Sequence, residues 1–241
     1  MGLWTKLLGG AEEKNTQRQT AKTVVTAEEL GLALSEASLR AGNRLFQEFA
    51  NNGVIAQLSS QQQVRLALEL LLFELVCKAL SLVRFYGEDG SKVSPFLTRS
   101  TLTTFAESLQ VEEASTFINV SSYTEAALVQ FDSHYQYYAQ DIWELWNADS
   151  TEDFNKELGV MGIGGIGEKI VQKILHPVLG ISLEKPLIDR KAGPDWRRKL
   201  EEENKEWENV PHRFELVSFC SIYAVTSQQA MKPIFDEFVL S

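Results

Sequence analysis

The sequence predicts an all-α protein: a single irregular multi-helix domain with about eight or nine helices around one long, apolar central helix. Apolar residues recur at spacings of three and four through most of the chain, which is the period of one helix face. Residues that begin and end helices, chiefly Ser, Thr, Gly and Pro, separate these stretches. No regular alternation of strand and helix patterns interrupts them, so a parallel α/β sheet is not predicted.

Composition narrows the class of protein further. The 241 residues are 44% hydrophobic and 23% charged, which is typical of a globular chain with an ample core. The net charge of −10 argues against binding of nucleic acid or anionic membranes by the whole surface. Because Cys77 and Cys220 are the only cysteines and each lies in an apolar run, we expect no disulfide framework and a cytoplasmic location.

Residues 1–23 are predicted to be a short amphipathic tag and a flexible linker, ahead of a helical domain over 24–241. As a helix, the tag would place Leu3, Trp4, Leu7 and Leu8 on one side. The linker has only alanine as apolar content. Two interpretations stay open: a frayed terminus, or a docking peptide in which Trp4 contacts a partner groove or, through residues 1–8, a membrane surface.

The first two helices carry clear start signals. Thr26 with Glu29 forms a predicted capping box for the first, and Ser60 with Gln63 is expected to begin the second, which runs to about residue 86. The apolar stretch 66–83 approaches the length that spans a membrane. It also carries two i,i+4 ion pairs on nearly opposite sides, so we predict a central helix sandwiched by protein: Arg65 with Glu69, and Glu74 with Lys78.

Six more helices are predicted beyond a loop at 87–95. The first covers about 101–111, and a long helix rich in Tyr and Trp is expected from Ser122, capped with Glu125, to about residue 146. A short helix is expected from residue 150 to 159, another after the glycine-rich junction until Pro177, and a charged one from about 194 to 209. Residues 214–225 are predicted as a buried helix, although their aromatic and β-branched content also suits a strand. A further domain boundary near 148–168 is left open.

Residues 159–175, GVMGIGGIGEKIVQKIL, hold five of the fifteen glycines. Gly162, Gly164 and Gly167 match the dinucleotide fingerprint G-x-G-x-x-G by letter, but no strand pattern precedes them, as that fingerprint requires. The favoured interpretation is a glycine-rich corner at which two helices turn and approach closely.

The alternative rests on a resemblance. Residues 163–174 resemble the hairpin of helix-hairpin-helix DNA-binding proteins, with Gly165 and Gly167 in the hairpin and Lys169 in the first turn of the next helix. The resemblance implies that glycine amides and the helix N-terminus grip a phosphate backbone without reading its sequence, with Lys169 and Lys173 as basic contacts. Residues 169–199 contain eight basic and three acidic side chains, so nucleic acid is an alternative partner for the region 163–199.

The same resemblance extends to catalysis. Some helix-hairpin-helix glycosylases use a lysine just after the hairpin as nucleophile together with a downstream aspartate, and Lys169 and Asp189 occupy comparable positions. A lysine nucleophile needs a lowered pKa and a buried site, which a sequence does not display. No histidine pair has the spacing of a zinc or di-iron site, so neither a metal nor a cofactor is predicted.

Aromatic residues indicate two further candidate surfaces. Trp196 and Trp207 lie on the predicted charged helix and must be covered either by the core or by a partner. Tyr138, His134 and Trp143 on the aromatic helix form a hypothetical small-molecule pocket.

The sequence as a whole favours a non-catalytic protein–protein interaction or adaptor module. Trp4, Trp196 and Trp207 are its predicted partner-binding residues. The helix-hairpin-helix nucleic-acid binder, with its glycosylase-like variant, is the alternative.

Overall fold

The computed structural model describes residues 22–112, 119–147, 162–181, 207 and 209–241. These contain six α-helices, one 3-10 turn at Ile55–Gln57 and two short strands. The helices are α1 (Ala27–Asn51), α2 (Ser60–Tyr86), α3 (Glu88–Glu112), α4 (Val120–Asn147), α5 (Gly162–Leu179) and α6 (Arg213–Glu237). The prediction of an all-α protein is confirmed, whereas the predicted count of eight or nine helices is not supported. The tag at 1–8, the helix predicted at 150–159 and most of that at 194–209 lie outside the described residues.

The predicted helix starts are right in one case and displaced in two. The capping box of α1 is confirmed, since the Glu29 amide donates to Thr26 Oγ1 (3.1 Å) and the Thr26 amide to the Glu29 carboxylate (2.8 Å). The box of α2 lies one residue earlier than predicted, between Ser59 and Gln62. Helix α4 is capped by Asn119, whose Oδ1 accepts from the Ser122 amide (3.0 Å), so Ser122 lies inside the helix. Asparagine caps a helix as well as serine does, and because Asn119 precedes Ser122 the helix begins at the earlier position.

The predicted loop at 87–95 is wrong, because α3 begins at Glu88. Only Gly87 separates α2 from α3, and it takes φ = 59°, the left-handed conformation that ends a helix. Its amide donates to the Val83 carbonyl at 2.9 Å. Pro95 lies inside α3, where it was expected to exclude helix. The helix tolerates it at the cost of one backbone hydrogen bond.

The prediction that α5 ends at Pro177 is also wrong. The helix continues through Pro177 to Leu179, and it ends where Gly180 takes φ = 70°. The Gly180 amide donates to the His176 carbonyl at 2.8 Å, which satisfies one of the last free carbonyls.

Residues 214–225 are helical, as predicted, within α6. Directly after α6, strand β2 (Phe238–Leu240) pairs in parallel with β1 (Thr23–Val25). An isolated pair of three-residue strands is marginal by itself. Side chains reinforce this one: Tyr86 Oη donates to the Phe238 carbonyl (3.1 Å) and Lys22 Nζ to the Phe235 carbonyl (3.1 Å).

The described chain divides into two compact units. The first unit comprises residues 22–41, 74–112, 119–137 and 227–241, and the second comprises 42–73, 138–147, 162–181, 207 and 209–226. Helix α2 covers the stretch that was predicted as the central helix: residues 68–82 are buried without a break, and its two predicted ion pairs are present. Glu69 and Glu74 are fully buried within these pairs. Among the helices that the structure describes, none combines the length and the apolar character needed to cross a membrane.

Candidate functional site

The glycine-rich stretch does not form a hairpin. Helix α5 begins at Gly162, so Gly165 and Gly167 lie in its first two turns, and the hairpin that the resemblance places there is replaced by helix. The predicted corner would lie just before Gly162, outside the described residues. The second part of that interpretation, close approach of two helices, is correct for Gly167 in the second unit. A Cβ at Gly167 would collide with Ser221 Oγ and lie 3.1 Å from Val217 Cγ1, both on α6.

The two lysines of the predicted phosphate grip have different surroundings. Lys169 is exposed on α5. Lys173, one turn later, is mostly buried, and its Nζ contacts the buried carboxylate of Asp141 on α4 at 2.6 Å. The Lys173 ammonium also lies 6.0 Å from the centre of the Tyr138 ring. Lys173 is therefore paired with Asp141 inside the second unit. Nucleic-acid binding by this region stays a prediction, and of the two lysines only Lys169 is exposed.

Of the three predicted partner-binding tryptophans, only Trp207 falls on described residues. It is 7% exposed, so the protein itself covers the side chain and Trp207 is not part of an exposed surface. Trp4, Trp196 and Asp189 lie outside the described residues.

The predicted aromatic pocket on α4 is not built as expected. Tyr138 is fully buried and packs edge-on against Phe73, with ring centroids 5.6 Å apart. Trp143 is 43% exposed, and its ring packs against the ring of Trp146. The Nε1 of Trp146 donates a hydrogen bond to the Ala224 carbonyl at 2.7 Å. His134 directs Nδ1 at the Gln130 carbonyl of its own helix (2.9 Å). These side chains serve packing and helix contacts.

Nucleophiles and metal ligands are not assembled within the described ranges. Cys77 and Cys220 are both buried free thiols, and complete burial raises the pKa of Cys220. A thiol that stays protonated is a poor nucleophile. No group of three His, Cys, Asp or Glu side chains among the described residues is placed to hold a metal ion.

The first unit contains an open groove. It encloses about 410 Å³ and lies between the C-terminal part of α2, the N-terminal part of α3 and the middle of α4. Its apolar lining consists of Ala79, Val83, Pro95, Leu128 and Phe131, and its polar lining consists of Ser91, Ser94, Thr98, Arg99, Asp132 and Tyr135. We refer to this surface as the α2–α3–α4 groove.

Helix geometry explains why these residues converge. Ala79 and Val83 are four apart on α2, and Leu128, Phe131 and Tyr135 are three and four apart on α4, so each set shares one helix face. Helix α3 folds back directly after Gly87. A Cβ at Gly90 would collide with the Leu82 carbonyl group, so the absence of a side chain at Gly90 lets α3 lie against α2.

The charges of the groove are arranged at its rim. Arg99 Nη1 lies 2.6 Å from Glu125 Oε1, and both side chains are more than half exposed, so this pair contributes little to stability. Asp132 is exposed on the α4 side of the groove. Tyr135 is partly buried in the wall of the groove, and desolvation raises the pKa of its hydroxyl. The hydroxyl therefore stays protonated and can donate a hydrogen bond.

Pro95 also changes the backbone hydrogen bonding of α3 next to the groove. Pro95 has no N–H, so the carbonyl of Ser91 lacks the donor that the fourth residue onward supplies in a helix. Ser91 and Pro95 both line the groove. A carbonyl deprived of its helical donor favours a hydrogen bond with water or with a bound molecule.

No protein-family model, no curated protein and no solved structure matches the chain.

Proposed function

We propose that the protein is a non-catalytic interaction module whose α2–α3–α4 groove binds an amphipathic helical segment of a partner protein. The supporting observation is a groove with an apolar floor and a charged rim, formed by three helices of the first unit. Its volume of about 410 Å³ suits a few anchoring side chains. In helix-in-groove recognition the partner supplies such anchors at positions i, i+3, i+4 and i+7.

The exposure of the lining residues supports this proposal. Val83 is 37% exposed at the groove, although valine usually gains by burial. Covering such apolar surface contributes about 25 cal/mol per Å² removed from water. Leu128 and Phe131 form a floor that is already packed, so a partner side chain meets a preformed surface.

The polar rim supports specificity. The charges of Asp132 and of the Arg99–Glu125 pair would set the orientation of a partner helix, since charge complementarity determines register more than affinity. A cytoplasmic location agrees with the two free, buried cysteines.

Selection from a displayed library of random helical peptides tests the proposal. We expect enrichment of peptides with apolar residues at i, i+3, i+4 and i+7, whose binding is lost in Val83→Glu. The matched control is Val129→Glu, because Val129 is also an exposed valine (69%) on a helix of the first unit but does not line the groove. Failure to enrich such peptides, or equal loss in both variants, would refute the proposed function.

A further inference from the structure

The described chain begins in the first unit, which also contains the α2–α3–α4 groove. Lys22 and Thr23 are tied to the first unit through Phe235 and Phe238. Phe238 in turn accepts the hydroxyl hydrogen bond of Tyr86, which lies three residues from the groove residue Val83 on α2. From Thr23 to the groove, the chain has to cover the spacing between two strands, the length of the Tyr86 side chain and one helical turn. Together these give a distance on the order of 20 Å.

The sequence ahead of Lys22 is long enough to return to the groove. Residues 9–21 separate the amphipathic tag from Lys22. Thirteen residues span at most roughly 45 Å when fully extended, about twice the distance required. A segment tethered in this way has an effective concentration on the order of 1 mM at the groove.

The chemistry of the tag matches the groove. Leu3, Trp4, Leu7 and Leu8 recur at the spacing of one helix face, which is the pattern that a helix-binding groove accepts. Tryptophan is the side chain that most often dominates binding in an apolar pocket. Lys6 supplies a positive charge, and Asp132 supplies a negative one at the rim, where the charge of Arg99 is already paired with Glu125.

From these observations, we infer that residues 1–8 of the same chain occupy the α2–α3–α4 groove and must be displaced before a partner helix binds. This inference rests on the proposed function. It makes the tag a built-in competitor, so anything that removes or sequesters residues 1–8 raises the affinity for partners.

A labelled peptide of residues 1–10, MGLWTKLLGG, is the probe, with binding to the full chain followed by fluorescence anisotropy. The variant Trp4→Asp/Leu7→Asp disables the chain's own tag without touching the described residues. We expect the peptide to bind this variant roughly ten-fold more tightly than wild type. This factor follows if the peptide has a dissociation constant of about 100 μM for the free groove and the tethered tag competes at an effective concentration on the order of 1 mM. Adding Val83→Glu should abolish binding, and adding Val129→Glu should not.

Each other outcome overturns the inference. Equal affinity for wild type and for Trp4→Asp/Leu7→Asp would show that the tag does not occupy the groove. Absence of peptide binding, while library-selected peptides still bind, would remove the tag as a ligand and leave the proposed function intact. Binding of the peptide only to vesicles containing phosphatidylserine would identify a membrane anchor instead. If library-selected peptides also fail to bind, both proposals fall.

Discussion

Single residues in this protein act mainly by their size and their charge partners. Gly167 illustrates the first effect, because its missing side chain leaves room for Ser221 and Val217 of α6. Lys173 illustrates the second, because its charge is neutralised by a buried carboxylate on a different helix. Both residues belong to the stretch that suggested phosphate binding. Letter patterns alone do not show whether a glycine faces a ligand or a neighbouring helix.

Gly167→Ala should destabilise the protein, by about 1–3 kcal/mol, because the new methyl group overlaps the Ser221 hydroxyl. Ser221→Ala removes that oxygen and only a local hydrogen bond to the Val217 carbonyl. We therefore expect Gly167→Ala/Ser221→Ala to be more stable than the sum of the single effects in urea denaturation. Additive losses would show that the two helices do not meet at Gly167.

Lys173→Ala should cost about 3 kcal/mol of unfolding free energy, because it leaves the buried Asp141 carboxylate without its cation. Lys169→Ala, one turn earlier and exposed, is the control, with an expected change within about 0.5 kcal/mol. Chemical denaturation of the two variants separates a structural lysine from a surface one. Equal small losses would mean that Lys173 is solvated and available to other ligands.

At the scale of elements, the junctions of the helices were harder to predict than the helices. Helix α2, its ion pairs and the capping box of α1 followed from apolar spacing and capping chemistry. Residues 87–95 were predicted as a loop because they combine Gly, Ser and Pro, yet α3 begins at Glu88. Tertiary packing of α3 overrides the local preference of these residues, and such packing is not encoded in a short window of sequence.

The corner between α2 and α3 predicts unequal effects for its two glycines. Gly90→Ala should cost about 3 kcal/mol or more, because the new Cβ meets backbone atoms of Leu82, which have little freedom to move. The new Cβ of Gly87→Ala would have no other atom within 4 Å, so this substitution should cost only the strain of the positive φ, about 1 kcal/mol. Gly87→Asn should be milder still, since asparagine tolerates that conformation. Thermal unfolding of the three variants checks this order, and a more harmful Gly87→Ala would contradict the corner geometry.

The bond from Tyr86 to β2 predicts a pH dependence. Desolvation raises the pKa of Tyr86 from 10.0 to about 12. Between these values the folded protein keeps a proton that the unfolded chain has released, so the stabilising effect is complete below pH 10 and is lost as the pH rises toward 12. Denaturation across this range should show a steeper fall in the stability of wild type than of Tyr86→Phe. The same slope in both proteins would show that Tyr86 is freely solvated.

At the scale of the whole molecule, the sequence was sufficient for the fold class and insufficient for the candidate site. Amphipathic periodicity is local, so it predicts a helix such as α1 without knowledge of its neighbours. The α2–α3–α4 groove depends on three helices and on a glycine contact, so its residues are scattered from Ala79 to Tyr135. Four groove residues, Leu128, Phe131, Asp132 and Tyr135, lie in the predicted aromatic helix, but its sequence does not show that they line a groove. Trp207 shows the reverse error, since an apparent surface residue is covered by the fold.

Photo-crosslinking of a library-selected peptide to the full chain tests the central claim most directly. With a photoreactive residue at an apolar anchor position, mass spectrometry should place the crosslinks on residues 91–99 of α3 and 128–135 of α4, with none in Val83→Glu. Crosslinks on α5, or around the exposed side chains of Phe214 and Trp143 in the second unit, would contradict the claim that the α2–α3–α4 groove is the binding surface.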